Sequence, residues 1–222
     1  MDGMYTGKQD DRRYTGEAID ISYSQKRCIH AAECGRRLSE VFDTSKRPWI
    51  NADGASADRA AEVIERCPSG ALHYKRKDGG PAETVPTRNR IILWRDGPIQ
   101  ISGDLEIHGA TVEIPGETRV TLCRCGDSGN KPFCDNAHKT SGFTAPATIT
   151  VNDRRTGEET SGKLRITAHA GGPLEFDGNF EIVTREGETL YTGTRTWLCR
   201  CGQSNRKPFC DGTHKTVGFS AE

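Results

Sequence analysis

The string C-R-C-G-x-S-x-x-K-P-F-C-D-x-x-H-K is written twice in this chain, at residues 123–139 and 199–215. Residues 118–145 align with 194–221 without a gap, at a constant offset of 76, so the chain contains an internal duplication. The repeat continues upstream more weakly: Asp96-Gly97-Pro98-Ile99 with Gly103, Glu106 and Ile107 parallels Gly171-Gly172-Pro173-Leu174 with Gly178, Glu181 and Ile182, at offset 75. Within each unit, segments such as PIQISGDLEIHG, TRVTL, PLEFDGNFEIV and TRTWL alternate in polarity and are punctuated by glycine, the pattern of short strands. The cysteine-rich string follows the strands in both copies.

Each copy presents Cys-x-Cys, eight residues, then Cys-x3-His: Cys123, Cys125, Cys134 and His138, then Cys199, Cys201, Cys210 and His214. Three thiols and one imidazole complete either one tetrahedral zinc or one two-iron cluster. Cysteine and histidine four apart share one face if CDxxHK opens a short helix, and so can hold one metal between them. Asp135 and Asp211 are placed to cap that turn or to hold amides near the ligands. The single residue between the paired cysteines is shorter than the spacing common in zinc knuckles, which favours iron–sulfur and leaves zinc as the competitor.

Nine cysteines in three tight groups, with histidines close by in sequence, read as metal or cluster ligands in a reducing compartment rather than as a disulfide framework. Only 33% of residues are hydrophobic, against 28% charged and 25 glycines, so apolar burial per residue is modest and small domains are expected. Thirty-one basic residues balance thirty-one acidic ones, removing the electrostatic argument for nucleic acid or an anionic membrane. The first twenty residues lack an apolar leader core, and no apolar run approaches membrane-spanning length. A cytoplasmic protein is expected.

Both strings resemble the CDGSH iron–sulfur domain of the mitoNEET family, whose pattern is C-x-C-x2-[ST]-x3-P-x-C-D-G-[SAT]-H. CRCGQSNRKPFCDGTH meets every position; CRCGDSGNKPFCDNAH departs at one, with Asn136 in place of glycine. Asparagine tolerates the left-handed backbone that glycine often supplies there. The resemblance implies a 2Fe-2S cluster in each repeat, the Cys-x-Cys pair on the inner iron and the Cys/His pair on the outer one. It also implies a strand-rich β cap and a two-fold dimer, which two copies in one chain supply internally. With one imidazole replacing a thiolate the cluster is less negative by one unit, so reduction is easier than in a plant-type ferredoxin. Imidazole titrates near neutrality, which couples His138 and His214 to electron uptake or to loss of the outer iron. Arg124, Lys131, Lys139, Arg200, Lys207 and Lys215 either favour the reduced state or are ordinary solvated charge.

Residues 1 to about 75 match neither repeat. Strand-like AIDISYS, a helical stretch near residues 30–40, a strand around 49–51 and a helix over 58–66 are expected. RCIHAAECGRR and ERCPSGALHY hold Cys28, Cys34 and Cys67, and resemble a single-cluster bacterial-type ferredoxin in which C-x2-C-x2-C precedes a distant Cys-Pro. Ala31 stands where the second cysteine belongs, so the resemblance implies a 3Fe-4S cluster on Cys28, Cys34 and Cys67, or 4Fe-4S with His30 as fourth ligand. The segment KRKDGGPAETVPTRNR reads as a linker or irregular approach to the first repeat. His73, His108 and His169 read as structural or solvated, and Trp49, Trp94 and Trp197 as packing residues.

The expected fold is α+β: a ferredoxin-like domain (1–78), then two CDGSH domains (79–146 and 147–222) forming one pseudo-two-fold unit. No nucleophile–base pair, phosphate loop or open catalytic metal site is visible, so an electron-transfer protein rather than an enzyme is expected. A cluster donor or redox sensor is the alternative, and a structural zinc protein a further one. The partner is an unidentified redox protein or an apo-acceptor, and the chain is expected to be a monomer.

Overall fold

Period-two alternation builds most of this molecule. In a computed structural model of the chain, which describes residues 11–149 and 159–221, strand β2 (Ile19–Tyr23) buries Ile19, Ile21 and Tyr23 and leaves Asp20 and Ser22 half-buried. It lies between β1 (Arg12–Thr15) and β3 (Leu72–Arg76) in an antiparallel three-stranded sheet. Helix α2 (Ala57–Glu65) covers this sheet with Ala60, Ala61, Val63 and Ile64. Ser56 caps it by accepting the Arg59 amide at 3.3 Å. The helix ends one residue before the Cys67-Pro68 pair.

Two expectations for this region change. The stretch near residues 30–40 holds only a five-residue helix, α1 (Glu33–Arg37), because His30 and Ala32 adopt left-handed backbone (φ 53° and 60°) and turn the chain between Cys28 and Cys34. Around residues 49–51 there is a single bridge, Ile50 to Phe42, rather than a strand. The absence of an apolar leader in residues 1–10 lies outside the described residues. Among the described residues, no helix is long and apolar enough to cross a membrane.

The duplicated part forms one six-stranded sheet. Its strands are β4 (Arg90–Leu93), β5 (Ile99–Gly109) and β6 (Glu113–Leu122) from the first repeat, and β7 (Lys163–Ala168), β8 (Leu174–Val183) and β9 (Thr189–Leu198) from the second. Each repeat pairs its own strands antiparallel, β4–β5–β6 and β7–β8–β9. The short first strands then join the repeats, each keeping its own partner on one side: β4 also runs parallel to β8, and β7 also runs parallel to β5. Reciprocal ion pairs accompany these cross-repeat pairings, Arg90 with Glu181 at 2.8 Å and Arg165 with Glu106 at 3.5 Å. The buried Asn89 side chain fastens the junction, donating to the carbonyls of Gly162 (2.7 Å) and Asn179 (2.8 Å) and accepting the Asp104 amide at 3.0 Å. Residues of both repeats, among them Ile99, Ile101, Leu105, Leu174, Phe176 and Phe180, are fully enclosed in one apolar core. The two repeats are therefore not independent beads.

The N-terminal sheet docks on β6 through a buried charge network. Arg27 pairs with Glu117, both almost fully buried, and donates to the carbonyls of Ser69 (2.9 Å) and Arg119 (2.7 Å). His73 touches Glu83 (2.7 Å) and Glu117 (3.3 Å), while Arg119 pairs with Glu83 at 2.6 Å. Glu83 comes from the irregular segment before β4, which is thus stitched into the interface.

Candidate metal centres

In each repeat the last long strand delivers the chain into a tight loop. The Cys123 amide donates to the Pro132 carbonyl and the Cys134 amide to the Thr121 carbonyl; Cys199 with Pro208 and Cys210 with Trp197 copy this. Ser128 and Ser204 close each loop, their hydroxyls donating to the carbonyls of Phe133 and Phe209 at 2.7 Å. The C-D-x-x-H-K segments form one turn of 3-10 helix, Ala137–Lys139 and Thr213–Lys215. Asp135 accepts the amides of Ala137 (3.0 Å) and Gly129 (2.8 Å), and Asp211 those of Thr213 (3.0 Å) and Asn205 (2.8 Å). Both aspartates thus hold backbone amides around the ligands, as their positions in sequence suggested.

The ligand side chains meet in pairs. Cys123 and Cys125 bring their Sγ atoms to 3.6 Å, and Cys199 and Cys201 to 3.7 Å. Cys134 Sγ lies 3.6 Å from His138 Nδ1, and Cys210 Sγ lies 3.3 Å from His214 Nδ1. Two thiolates on one tetrahedral metal with ~2.3 Å bonds stand about 3.8 Å apart, and a thiolate and an imidazole about 3.5 Å. All four pairs fit that geometry within a few tenths of an ångström. Among the described residues, no three His, Cys, Asp or Glu side chains gather closely enough to hold a single ion.

Backbone amides point at the sulfurs: Asp127 N–H at Cys125, Asn136 N–H at Cys134 and Gly212 N–H at Cys210, each at 3.4 Å. Such donors stabilise thiolate over thiol. The bond from Cys125 draws the Cys123 thiol below its ordinary range. Burial pushes Cys134 up to about 11 and raises Cys210 as well.

Arg124 and Arg200 are buried rather than solvated, both 1% exposed. Arg124 donates to the carbonyls of Gly97 (2.9 Å), Trp94 (2.5 Å) and Pro146 (3.2 Å), and Arg200 to those of Gly172 (3.0 Å) and His169. Burial lowers the pKa of both guanidiniums, Arg124 to about 10; the Cys199 thiol of the opposite repeat opposes this for Arg124, and Cys123 does so for Arg200. Lys131 and Lys207 donate to the carbonyls of Ser128 (2.6 Å) and Ser204 (2.7 Å), while Lys139 and Lys215 are exposed.

Cys28, Cys34 and Cys67 line one cavity beside α1, together with Tyr23, His30 and Ala31. Burial pushes the Cys34 thiol up to about 11. Ala31, at the position of the missing cysteine, borders the same cavity. His30 lines it too, although the residue as a whole is exposed. All nine cysteines are free. His108 and His169 are engaged by glutamates, Glu113 at 2.8 Å and Glu175 at 2.7 Å, as structural residues. Trp49 packs against Tyr14, Tyr23 and Phe42. Trp197 departs from expectation: it is 43% exposed, with the Arg195 guanidinium over its ring. Arg27, Glu83, Glu117 and Asn89 carried no sequence signal beyond their residue type.

Paired thiol–thiol and thiol–imidazole sites on a strand-rich scaffold, with amides aimed at sulfur, are donor sets for a thiophilic metal or an iron–sulfur cluster. The family model described as iron-binding zinc finger, CDGSH type, matches residues 96–139 and again 171–215, and that described as divergent 4Fe-4S mono-cluster matches residues 14–77. The chain is thus an iron–sulfur protein that carries a divergent mono-cluster domain ahead of two CDGSH-type iron-binding repeats. Among curated proteins it is similar to the uncharacterized protein YjdI of Escherichia coli, in strains K12 and O157:H7 alike, 38% identical over 77 residues. The match covers 35% of this chain and 93% of YjdI.

Proposed function

We propose that the protein is a one-electron carrier with a 2Fe-2S cluster in each repeat and a third cluster, 3Fe-4S or 4Fe-4S, on Cys28, Cys34 and Cys67. The ligands of each repeat are Cys123, Cys125, Cys134 and His138, or Cys199, Cys201, Cys210 and His214. The observation that carries the reading is the division of each ligand set into two pairs at 3.3–3.7 Å. A structural zinc needs four ligands around one centre, whereas two irons need two and two. When bound, such clusters supply reversible one-electron chemistry without making or breaking bonds to the protein.

The chain's own groups then have definite tasks. Amides of Asp127, Asn136 and Gly212 hold negative charge on sulfur. Arg124 and Arg200, each buried near a thiol of the other repeat, offset that charge and favour reduction. His138 and His214 are half-buried and reached by solvent, so a proton can compete with metal at the imidazole. Strands β4 and β7, each paired with both repeats, support a two-fold unit with boundaries near residues 79, 146 and 222. The three-stranded sheet with α2 supports a ferredoxin-like domain before it. No turnover is assigned, and the partner is a redox protein.

Solvent access to the histidines also favours a second reading, donation of the cluster to an apo-acceptor. Anaerobic incubation with an apo-ferredoxin separates the two. Reversible reduction by dithionite with all iron retained supports electron transfer; iron and sulfide appearing on the acceptor, faster at lower pH, supports donation.

A further inference from the structure

The one departure of the first repeat from its motif faces the N-terminal domain. Asn136 stands where the second repeat has Gly212, and Asn130 where it has Arg206. Asn136 adopts the left-handed backbone that Gly212 also has, φ 75° against 88°, so the exchange adds a side chain without changing the turn. That side chain donates to the Ile29 carbonyl at 2.8 Å, and the Asn130 amide donates to the Lys26 carbonyl. Lys26 and Ile29 flank Cys28. Asn136 also donates its own N–H to Cys134 Sγ, so one residue hydrogen-bonds both to the Cys28 loop and to a ligand of the first repeat.

A second contact runs parallel to the first. Thr121 Oγ1 donates to the Pro68 carbonyl at 2.9 Å, next to Cys67, while the Thr121 carbonyl accepts the Cys134 amide at 3.1 Å. Among the described residues, nothing equivalent covers the second repeat. A Cβ on Gly212 would meet nothing within 4 Å, Arg206 is exposed, and the counterpart of Thr121 is the exposed Trp197. Cys134 is 3% exposed, whereas Cys210 is only partly buried.

We propose that Asn136, with Asn130 beside it, is a positioning residue that couples the N-terminal thiol site to the site of the first repeat, so that these two exchange an electron directly. The second repeat's site is left to meet external partners. The proposal rests on the electron-transfer reading above. The exchange moves one electron and no atoms: one site is oxidised by one unit as the other is reduced by one, the electron having come from an external one-electron reductant.

The test uses the full chain, reconstituted anaerobically with iron and sulfide, as wild type, Asn136→Gly and Asn136→Asp. The first variant restores the motif; the second keeps the side-chain shape but removes the N–H donor. A substoichiometric pulse of dithionite is followed by freeze-quench EPR, alongside a redox titration of each site. Expected are unchanged iron content, a shifted midpoint potential for the first repeat alone, and internal re-equilibration slowed about tenfold in both variants. Unchanged potentials and rates in both variants, with reversible reduction intact, would overturn the coupling and leave the electron-transfer reading standing. A wild type that takes up no electrons reversibly would overturn both.

Discussion

Gly126 of the first repeat packs directly on Cys201 of the second: a Cβ there would come 2.6 Å from the Cys201 carbonyl oxygen. Gly202 packs on Cys125 in the same way, so the two ligand loops abut. Gly126 also needs its left-handed φ of 92°. Gly126→Ala is therefore expected to cost roughly 3 kcal/mol through strain and displacement of backbone. Because the clash falls on the second repeat, cluster content at both sites should drop, as read by iron analysis and visible absorbance. Loss confined to the first site would show that the loops are independent.

In the proposed ligand sets, His138 and His214 each share a metal position with the cysteine four residues away, whose Sγ lies 3.6 Å and 3.3 Å from the imidazole Nδ1. His138→Cys and His214→Cys are each expected to retain a cluster, to lower its potential by adding a negative ligand, and to slow its loss in acid by removing the titrating imidazole. The decay of visible absorbance at pH 5 to 6 is the measurement. Acid lability unchanged in both variants contradicts histidine ligation.

Ala31 borders the cavity that gathers Cys28, Cys34 and Cys67. Ala31→Cys is expected to add a fourth thiolate there and raise the iron content by about one per chain. EPR should follow from a 3Fe to a 4Fe signature. An unchanged iron count means the cavity has no vacant ligand position at residue 31.

The interface network makes a pH prediction. Burial alone would lower the His73 pKa, but its bonds to Glu117 and Glu83 raise it to about 9 from 6.5. Burial likewise would raise Glu117, and Arg27 and His73 outweigh it and hold the carboxylate well below its ordinary range. A group whose folded pKa is raised binds its proton more tightly in the folded state. The stability His73 contributes is thus complete below about pH 6.5 and is lost as pH rises through about 9, about 3 kcal/mol in all. Urea titrations should show this slope in wild type and a flatter one in His73→Gln; parallel profiles contradict a protonated His73.

The ligand strings, the strands that precede them and α2 were legible because each depends on local pattern: fixed spacing, period two, and an amphipathic run closed by Cys-Pro. What was not legible is what depends on partners far apart in sequence. The 76-residue offset reveals that the repeats exist, but cannot say that β4, while paired with β5 of its own repeat, also runs beside β8 of the other. Arg124 and Arg200 look like surface charge in a lysine-rich string, and only the surrounding carbonyls make their burial tolerable. Glu83 sits in a segment whose glycines and prolines read as linker, yet its carboxylate bridges His73, Thr118 and Arg119. Trp197 alternates like a packing residue, but among the described residues its face of β9 has no covering element like the one that covers Thr121 on β6.

The central claim is that each repeat's four ligands divide two and two around a pair of irons. Elemental analysis of freshly purified, anaerobically handled protein for iron, acid-labile sulfide and zinc, with visible spectra before and after dithionite, tests it most directly. About seven irons and eight sulfides per chain with a brown colour that bleaches reversibly is the predicted result, and about four of each would leave the repeats loaded and the N-terminal site empty. Stoichiometric zinc in a colourless protein, with no labile sulfide, would contradict the account.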